Sequence, residues 1–519
     1  VRIIDDKAVI LSTRNPDLIT TNIPKSALLE THEGEAKVAV HWGQSEIETL
    51  SELDPSFGVP SPINRDYEWT GKFTPFEHQK TTASFLAANK KAFCFNEQGT
   101  GKTASVIWAA DYLMKLGKVK RVLVLCPLSI MKSAWQQDLF TFAMHRTCSV
   151  AHGTAAQRKK ILAANAEFVI VNFDGLSVVN EDIIDGGFDL IVVDEANAYK
   201  NAQTNRWKVL ARILRDTNPR LWMLTGTPAA QSPVDAYGLA KMVNPRGCPK
   251  SFSEFRSNVL YKVTQFKWVP KPNATSYVHK VLQPAIRFEK ADCLDLPDVT
   301  YTEREAPLSP QQQSYYKKLK QEMTFEADGE RITAVNAATN LNKLLQISGG
   351  AVYSDDKEVI EFDVASRIKV VLEAINETKN KVLLFVPFTH TIGLLDVALT
   401  KAGIDCGVIN GKVPLSRRTE LVDRFQKNKD PRVLIIQPQA ASHGLTLTAA
   451  DTIIWYAPVT SVETYLQANA RIDRPGQKHP MTVIHVKGSP VEERLYGMLR
   501  SNISHHQKLI DLYKEEIGK

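Results

Sequence analysis

The run Asn96-Glu97-Gln98-Gly99-Thr100-Gly101-Lys102-Thr103 follows a short apolar stretch, "AFCF", and opens an amphipathic segment. Glycines at 99 and 101 let backbone N–H groups converge on an anion, and a helix starting at Lys102 adds its positive end. An ammonium at Lys102 can reach the outer phosphates of a nucleoside triphosphate, and the Thr103 hydroxyl can ligate Mg²⁺. Asn96 stands where a further glycine is usual. Asp194 and Glu195 close a second apolar run, "DLIVVD". One carboxylate there can hold Mg²⁺ while the other positions and deprotonates a water. Far downstream, Arg471 and Arg474 lie three apart, on one side of a helical turn, where guanidinium groups can neutralise phosphate charge.

Elements must hold these residues in place. Apolar strand-length runs alternate with amphipathic helical segments, which predicts parallel sheets with helices on both faces. The first set is "AFCF", "RVLVLC", "EFVIV", "DLIVVD" and "RLWMLT"; the second, beyond residue 380, is "KVLLFV", "RVLIIQ", "TIIWYA" and "VIHV". In nearly every run a polar residue or proline follows the strand: Asn96, Pro127, Asn172, Asp194, Thr225, Pro387, Gln437 and Pro458. That edge is the binding crevice of a parallel α/β sheet. A helix after Lys102 carries a stripe of Val106, Ile107, Ala110, Leu113 and Met114 and stops at Gly117. The expected fold is α/β: lobes at 71–245 and 361–519, a helical insert and linker at 246–360, and a small β-rich module at 1–70. In that module "VRIIDDKAVILSTR" reads as a hairpin turning near Asp5-Asp6-Lys7, "KVAVHW" as a strand and "SEIETLSEL" as a helix. The Pro-rich "GVPSPINRDYEW" reads as a linker.

The totals fit a multidomain globular protein of 519 residues. Its 64 Lys and Arg against 57 Asp and Glu give a net +7, a mild excess that permits a polyanionic partner without demanding one. Six scattered cysteines with no CxxC pair predict free thiols in a reducing compartment, not a disulfide framework or zinc site. No apolar run reaches the roughly 18 residues of a bilayer span, and no signal-peptide pattern is present.

In this order the motifs resemble those of a superfamily 2 helicase, specifically the Swi/Snf-type branch of DNA translocases. The resemblance runs from about Phe73 to Lys508. "FEHQ" is similar to the motif whose Gln reads adenine, here Gln79. "NEQGTGKT" resembles motif I, which in this branch often lacks the leading Gly. "LVLCPLSIMKSAW" resembles motif Ia, "IVNFDGL" the next strand-contacting motif, "DEANAYKN" motif II and "LTGTPAAQSPVDAYGLAKMVNP" motif III with its Swi/Snf extension. "LPDVTYTEREAPLSPQQQSYY" looks like the segment leading into the second lobe. There "VLLFVPFTHT" resembles motif IV, "ASHGLTLTAADTIIWY" motif V and "QANARIDRPGQ" motif VI. The pattern is departed from in three places: Asn197 replaces the usual His of motif II, Ser442-His443 stand where many relatives have Gly-Gly, and "APVTSVE" replaces the usual Trp-Asn-Pro after motif V.

The resemblance implies two RecA-like lobes and an ATP hydrolase dependent on Mg²⁺. It assigns catalysis to Lys102, Asp194, Glu195, Arg471 and Arg474, and metal binding to Thr103, Asp194 and Glu195. Nucleotide contacts would come from Gln79, Asn96, Gly99, Thr100, Gly101, Lys102, Thr103 and Gln467 together with both arginines. Thr225 and Thr227 would couple nucleotide state to nucleic acid. Pro127, Leu128, Ser129, Asn172, Phe388, Thr389, Gly444 and Thr446 would grip phosphates, giving sequence-tolerant binding of double-stranded DNA, including forks or junctions. No membrane partner is expected; the site of action would be the cytoplasm and nucleoid for a bacterial or phage chain and the nucleus for a eukaryotic one. Rival readings are a strand-separating DNA or RNA helicase, a nucleotide-gated module on RNA polymerase, and a small-molecule kinase, which leaves the second lobe without a purpose.

Overall fold

The computed structural model describes the chain apart from residues 33, 227, 230–231, 264–267, 330–333, 354–358, 442–444 and 502–519; within its elements, the side chains of 133, 322–329, 334–338, 353, 415 and 441 are also outside the description. Thr227 and Gly444 therefore lie outside the described residues, as do Ser442 and His443. The chain divides into two compact units, Val1–Leu294 and Asp295–Lys519. The stretch 246–360, expected as insert and linker, contributes to both.

The first unit is built on a seven-stranded sheet. From edge to edge its strands are Ala285–Ile286, Lys91–Cys94, Arg220–Leu224, Leu190–Asp194, Val122–Cys126, Phe168–Asn172 and Cys148–Ala151, and every pairing is parallel. The apolar runs are continuous because both faces are covered. Leu123, Leu125, Val169, Val171, Ile191 and Val193 enter one core, while their neighbours Val122, Val124, Phe168, Ile170, Leu190 and Val192 enter the other. The helix after the glycine loop, Lys102–Lys115, is buried from Ala104 through Met114 on all sides. Between its ends it is thus interior, wider in burial than the single stripe expected from its sequence. Gly117, at φ 70°, ends it.

Residues 1–41 form a four-stranded antiparallel sheet in the order Arg2–Ile4, Ala8–Thr13, Glu35–His41, Ser26–His32. Its first hairpin turns at Asp5 and Asp6, both at positive φ, and Lys7 N–H bonds Ile4 O at 3.0 Å. Asp is among the residues that tolerate that conformation. The helix Gln44–Leu53 follows, and the module packs on the sheet-bearing part of the same unit: Ala88 joins Val9, Val38, Ile47 and Leu50 in one core. The buried Glu48 pairs with Arg220 at 2.8 Å and Lys118 at 3.3 Å. The Pro-rich stretch is no loose linker. Ile63 and Tyr67 are buried in the larger core, and the Tyr67 hydroxyl donates to Asp111 at 2.6 Å.

The second unit carries a six-stranded, all-parallel sheet in the order Val299–Glu305, Met481–Lys487, Ala450–Trp455, Lys381–Phe385, Val433–Ile436, Cys406–Ile409. It too is buried on both faces: Leu383, Leu434 and Ile453 face one core, and Val382, Val433 and Ile454 the other. Beside it Leu341, Leu344 and Leu345 of the helix Ala334–Gly349 pack on Val491 and Leu495 of the helix Pro490–Arg500. The α/β architecture of two parallel-sheet lobes is the one expected. None of the six cysteines is in a disulfide. Among the described residues no helix is long and apolar enough to cross a membrane.

Candidate functional site

The carboxyl edge of the first sheet sets out the chemistry in a row. Neighbouring strands deliver, in spatial order, the loop from Asn96, then Thr225, Asp194, Pro127 and Asn172. Gly99 and Gly101 both adopt left-handed backbone, at φ 84° and 80°, and Lys102 begins the helix directly after them. Left-handed residues on either side of Thr100 are the backbone pattern from which anion-binding nests are built. The Lys102 ammonium rests on the carbonyl oxygens of Asn96, at 2.8 Å, and Glu97, at 3.1 Å.

The loop is braced from outside. Gln79 is buried; its Nε2 donates to Thr100 O at 3.2 Å and its Oε1 accepts from Phe76 N–H at 3.0 Å. His78 Nε2 meets the same Thr100 carbonyl at 2.8 Å, and Thr100 Oγ1 donates to Glu97 O at 2.8 Å. Asn96 explains its own departure from glycine. Its buried side chain donates to Thr82 Oγ1 at 2.8 Å and accepts from Phe288 N–H at 3.0 Å, so it ties the loop to the chain beyond the strand Ala285–Ile286.

Asp194 ends the strand beside Thr225. Its Oδ1 accepts from Glu195 N–H at 3.0 Å and its Oδ2 from the Trp135 indole N–H at 2.9 Å. Desolvation pushes the Asp194 carboxyl above its ordinary range, opposed by the charge of Lys102 and the hydrogen bonds from Trp135 and Glu195. Glu195 sits at φ 55°, ψ 53°, a left-handed conformation costly for a residue with a side chain and found disproportionately at functional sites. Asn197 lies in the short 3₁₀ turn Ala196–Tyr199 that follows. The motif III extension packs on that turn. A Cβ on Gly238 would come within 2.3 Å of Lys200 O, and Lys200 pairs with Asp235 at 3.3 Å.

The donor set fits a hard divalent cation. Thr103 and Asp194 offer a hydroxyl and a carboxylate, and among the described residues no group of three or more His, Cys, Asp or Glu gathers as an all-protein metal cage would. Mg²⁺ is usually held by one or two such ligands, with waters and substrate phosphates completing the shell.

The other expected residues sit as follows. Pro127 leads into the turn Leu128–Ile130, with Leu128 exposed and Ser129 half-buried. Asn172 is buried, and its Oδ1 accepts from Arg158 at 2.9 Å. Thr225 is buried, its N–H bonded to Cys94 O at 3.0 Å. In the second unit Phe388 is half-buried and Thr389 exposed at the start of the helix Thr389–Lys401. Arg471 is buried and donates to Gln467 O at 2.8 Å and Leu445 O at 3.2 Å. Arg474 shares the Leu445 carbonyl, at 3.3 Å, and donates to Thr446 Oγ1 at 2.7 Å. Gln467 is buried and donates to Glu463 at 3.4 Å. Each unit thus gathers its own set: Gln79, the glycine loop, Thr225 and Asp194 in the first, Gln467, Arg471, Arg474 and Thr446 in the second.

Trp135 and Arg158 were not singled out by sequence reasoning. Trp135 closes the segment "LVLCPLSIMKSAW" that resembles motif Ia, which was the signal that could have found it, and Arg158 lies in "AAQRKKILA", where nothing sets it apart from the lysines beside it.

Comparison with known proteins places these residues in context. Residues 78–350 match the SNF2-related domain family and residues 366–476 the helicase conserved C-terminal domain. An uncharacterized ATP-dependent helicase of Mycoplasma genitalium is 26% identical over 411 residues, covering 77% of this chain and 38% of that protein. Putative protein p41 of Acyrthosiphon pisum secondary endosymbiont phage 1 is 24% identical, covering 80% of this chain and 93% of its own length. The mouse chromodomain-helicase-DNA-binding protein 1-like is 26% identical, with 79% of this chain and 46% of that protein covered. The chain therefore spans less than half of the Mycoplasma and mouse relatives. Among solved structures, the Sulfolobus solfataricus SWI2/SNF2 ATPase core in complex with dsDNA is 22% identical, covers 83% of this chain and 92% of that chain, and has a TM-score of 0.41.

Proposed function

This chain belongs to the SNF2-related family of superfamily 2, helicase-like ATPases, and from that premise we propose that it couples ATP hydrolysis to movement along double-stranded DNA. One observation carries the proposal. The glycine loop, Thr225, Asp194 and the turns at Pro127 and Asn172 leave adjacent strands of a single sheet edge, so the nucleotide residues and the expected strand contacts are mechanically continuous. The names of relatives fit the same chemistry: several are helicases, and the mouse protein is named as DNA-binding.

In this reading the N–H groups from Gly99 to Lys102 and the Lys102 ammonium bind the phosphates, and the Gln79 amide meets the adenine. Thr103 and Asp194 hold Mg²⁺, which when bound draws charge from the phosphate oxygens. Glu195 orients the attacking water, and Arg471 and Arg474 neutralise charge on the terminal phosphate. Gln467 supports Arg471 by the carbonyl it offers the Arg471 guanidinium. Thr225 relays nucleotide state towards Pro127, Leu128, Ser129 and Asn172. Phe388, Thr389 and Thr446 contact phosphates from the second unit. Because backbone phosphates carry no sequence, binding is sequence-tolerant and weakened by salt. The chain works wherever its duplex DNA is held, including forks and junctions.

The test is the ATPase rate across linear duplex, forked, junction and single-stranded DNA and RNA, with displacement of a triplex-forming strand from linear duplex. Stimulation by duplex together with triplex displacement is the expected result. Stimulation by single strands alone indicates a strand-separating helicase. Duplex stimulation without displacement indicates a nucleotide-gated clamp.

A further inference from the structure

The turn Leu128–Ile130 and Asp194 follow neighbouring strands, Val122–Cys126 and Leu190–Asp194, and one side chain joins them. Trp135 has no exposed surface and packs in one core with Ile130, Met131 and Leu139. Its indole N–H donates to Asp194 Oδ2 at 2.9 Å. The backbone runs from the turn to the tryptophan without a break, through the segment Met131–Gln136, wound as a π-helix. Such windings are uncommon and concentrate at functional sites. Here the winding places the indole against Asp194. A flat ring clamped in the core moves with its backbone, so displacement of Leu128–Ile130 must move the hydrogen bond at Asp194.

We propose that Trp135 is a positioning residue through which contact at the turn Leu128–Ile130 is transmitted to the carboxylate of Asp194. The N–H fixes the rotation of the carboxylate and so the direction in which its remaining lone pairs point. Hydrogen-bond partners of this kind alter the metal affinity of a ligand by roughly 10–100-fold. The inference rests on the reading of Asp194 as a Mg²⁺ ligand and of the turn as a DNA contact.

Trp135→Phe keeps most of the ring volume and deletes the N–H. Binding of a fluorescent ATP analogue is titrated with Mg²⁺ in the full chain, and the factor by which linear duplex raises the ATPase rate is measured beside it. The expected result is about a tenfold rise in the Mg²⁺ concentration at half-maximal binding and a stimulation factor reduced severalfold. Leu139→Ala, which loosens the same core without touching Asp194, should lower the melting temperature yet leave the Mg²⁺ midpoint unmoved. An unshifted Mg²⁺ midpoint in Trp135→Phe overturns the proposal, as does an equal shift in Leu139→Ala. A wild type that no duplex stimulates removes the DNA-contact reading and with it the transmission, while the Mg²⁺ titration still judges the Trp135–Asp194 link.

Discussion

The side-chain amide of Gln79 fills the space that a side chain at residue 101 would need: a Cβ on Gly101 would lie 2.0 Å from Gln79 Nε2. The expected adenine-reading residue and the phosphate nest are therefore packed as one piece, with the Thr100 carbonyl between them. Gly101→Ala meets two penalties, a left-handed backbone costing about 1–2 kcal/mol and displacement of Gln79. ATP affinity should fall at least tenfold, with a melting temperature lower by several degrees. Adding Gln79→Ala relieves the collision but not the backbone. The double variant should regain part of the melting temperature and none of the affinity, as titration calorimetry and thermal melting would read.

Lys102→Ala removes the cation poised over the loop carbonyls. ATP turnover should drop by roughly 10²-fold or more, with the circular dichroism spectrum and duplex binding largely retained. Equal turnover in variant and wild type would remove Lys102 from the site.

Arg471 and Arg474 share a carbonyl but not an environment. Arg471 is buried and satisfies Gln467 O and Leu445 O, whereas Arg474 is half-buried. Arg471→Ala should therefore destabilise the second unit by about 1.5–3 kcal/mol, the range for hydrogen bonds from a charged group. Arg474→Ala should cost less than 1 kcal/mol while lowering ATP hydrolysis at least a hundredfold with nucleotide binding near normal. Denaturant unfolding separates the first effect from the second. A hydrolysis rate left intact in Arg474→Ala would exclude it as the terminal-phosphate cation.

Asp111, on the helix after the glycine loop, is buried under three donors: Tyr67 OH at 2.6 Å, Arg146 Nε at 2.5 Å and His145 Nε2 at 2.9 Å. Burial alone would raise its pKa, but these donors outweigh it and hold the carboxyl below its ordinary value of 3.8. A folded value depressed in this way contributes stability that is present above the unfolded value and lost as pH falls through the folded one. Asp111→Asn should cost about 3 kcal/mol at neutral pH. The gap to wild type should stay constant down to the ordinary carboxylate range and close only below it. Melting curves from pH 7 to strongly acid solution would show this, and a gap that closed above pH 5 would contradict it.

Where a strand is buried on both faces, its letters leave little choice, and "RVLVLC", "DLIVVD", "KVLLFV" and "TIIWYA" were each legible. Two exposed edge strands were not. Val299–Glu305 reads "VTYTERE" and is mostly exposed, held by its ladder to Met481–Lys487 and by Glu303 and Glu305 on Lys487. Ser26–His32 was missed for the same reason: only its first residue is even half-buried. The glycine loop and both acidic residues could be read because local sequence determines them. Thr82, Tyr67 and Trp135, partners of Asn96, Asp111 and Asp194, could not, since each comes from another segment, and the winding at Met131–Gln136 shifts the register by which a helix of ordinary pitch would have placed Trp135.

The salt link of Glu48 to Arg220 and Lys118 has a consequence for where the chain can be cut. The match to the SNF2-related domain begins at residue 78, yet Ala88 shares a core with the strands and helix of the first 50 residues. A fragment trimmed to the homologous boundary would lay bare an oily patch and strand a buried guanidinium without its counter-charge. The edge of the matched domain is thus not the border at which this unit can be severed.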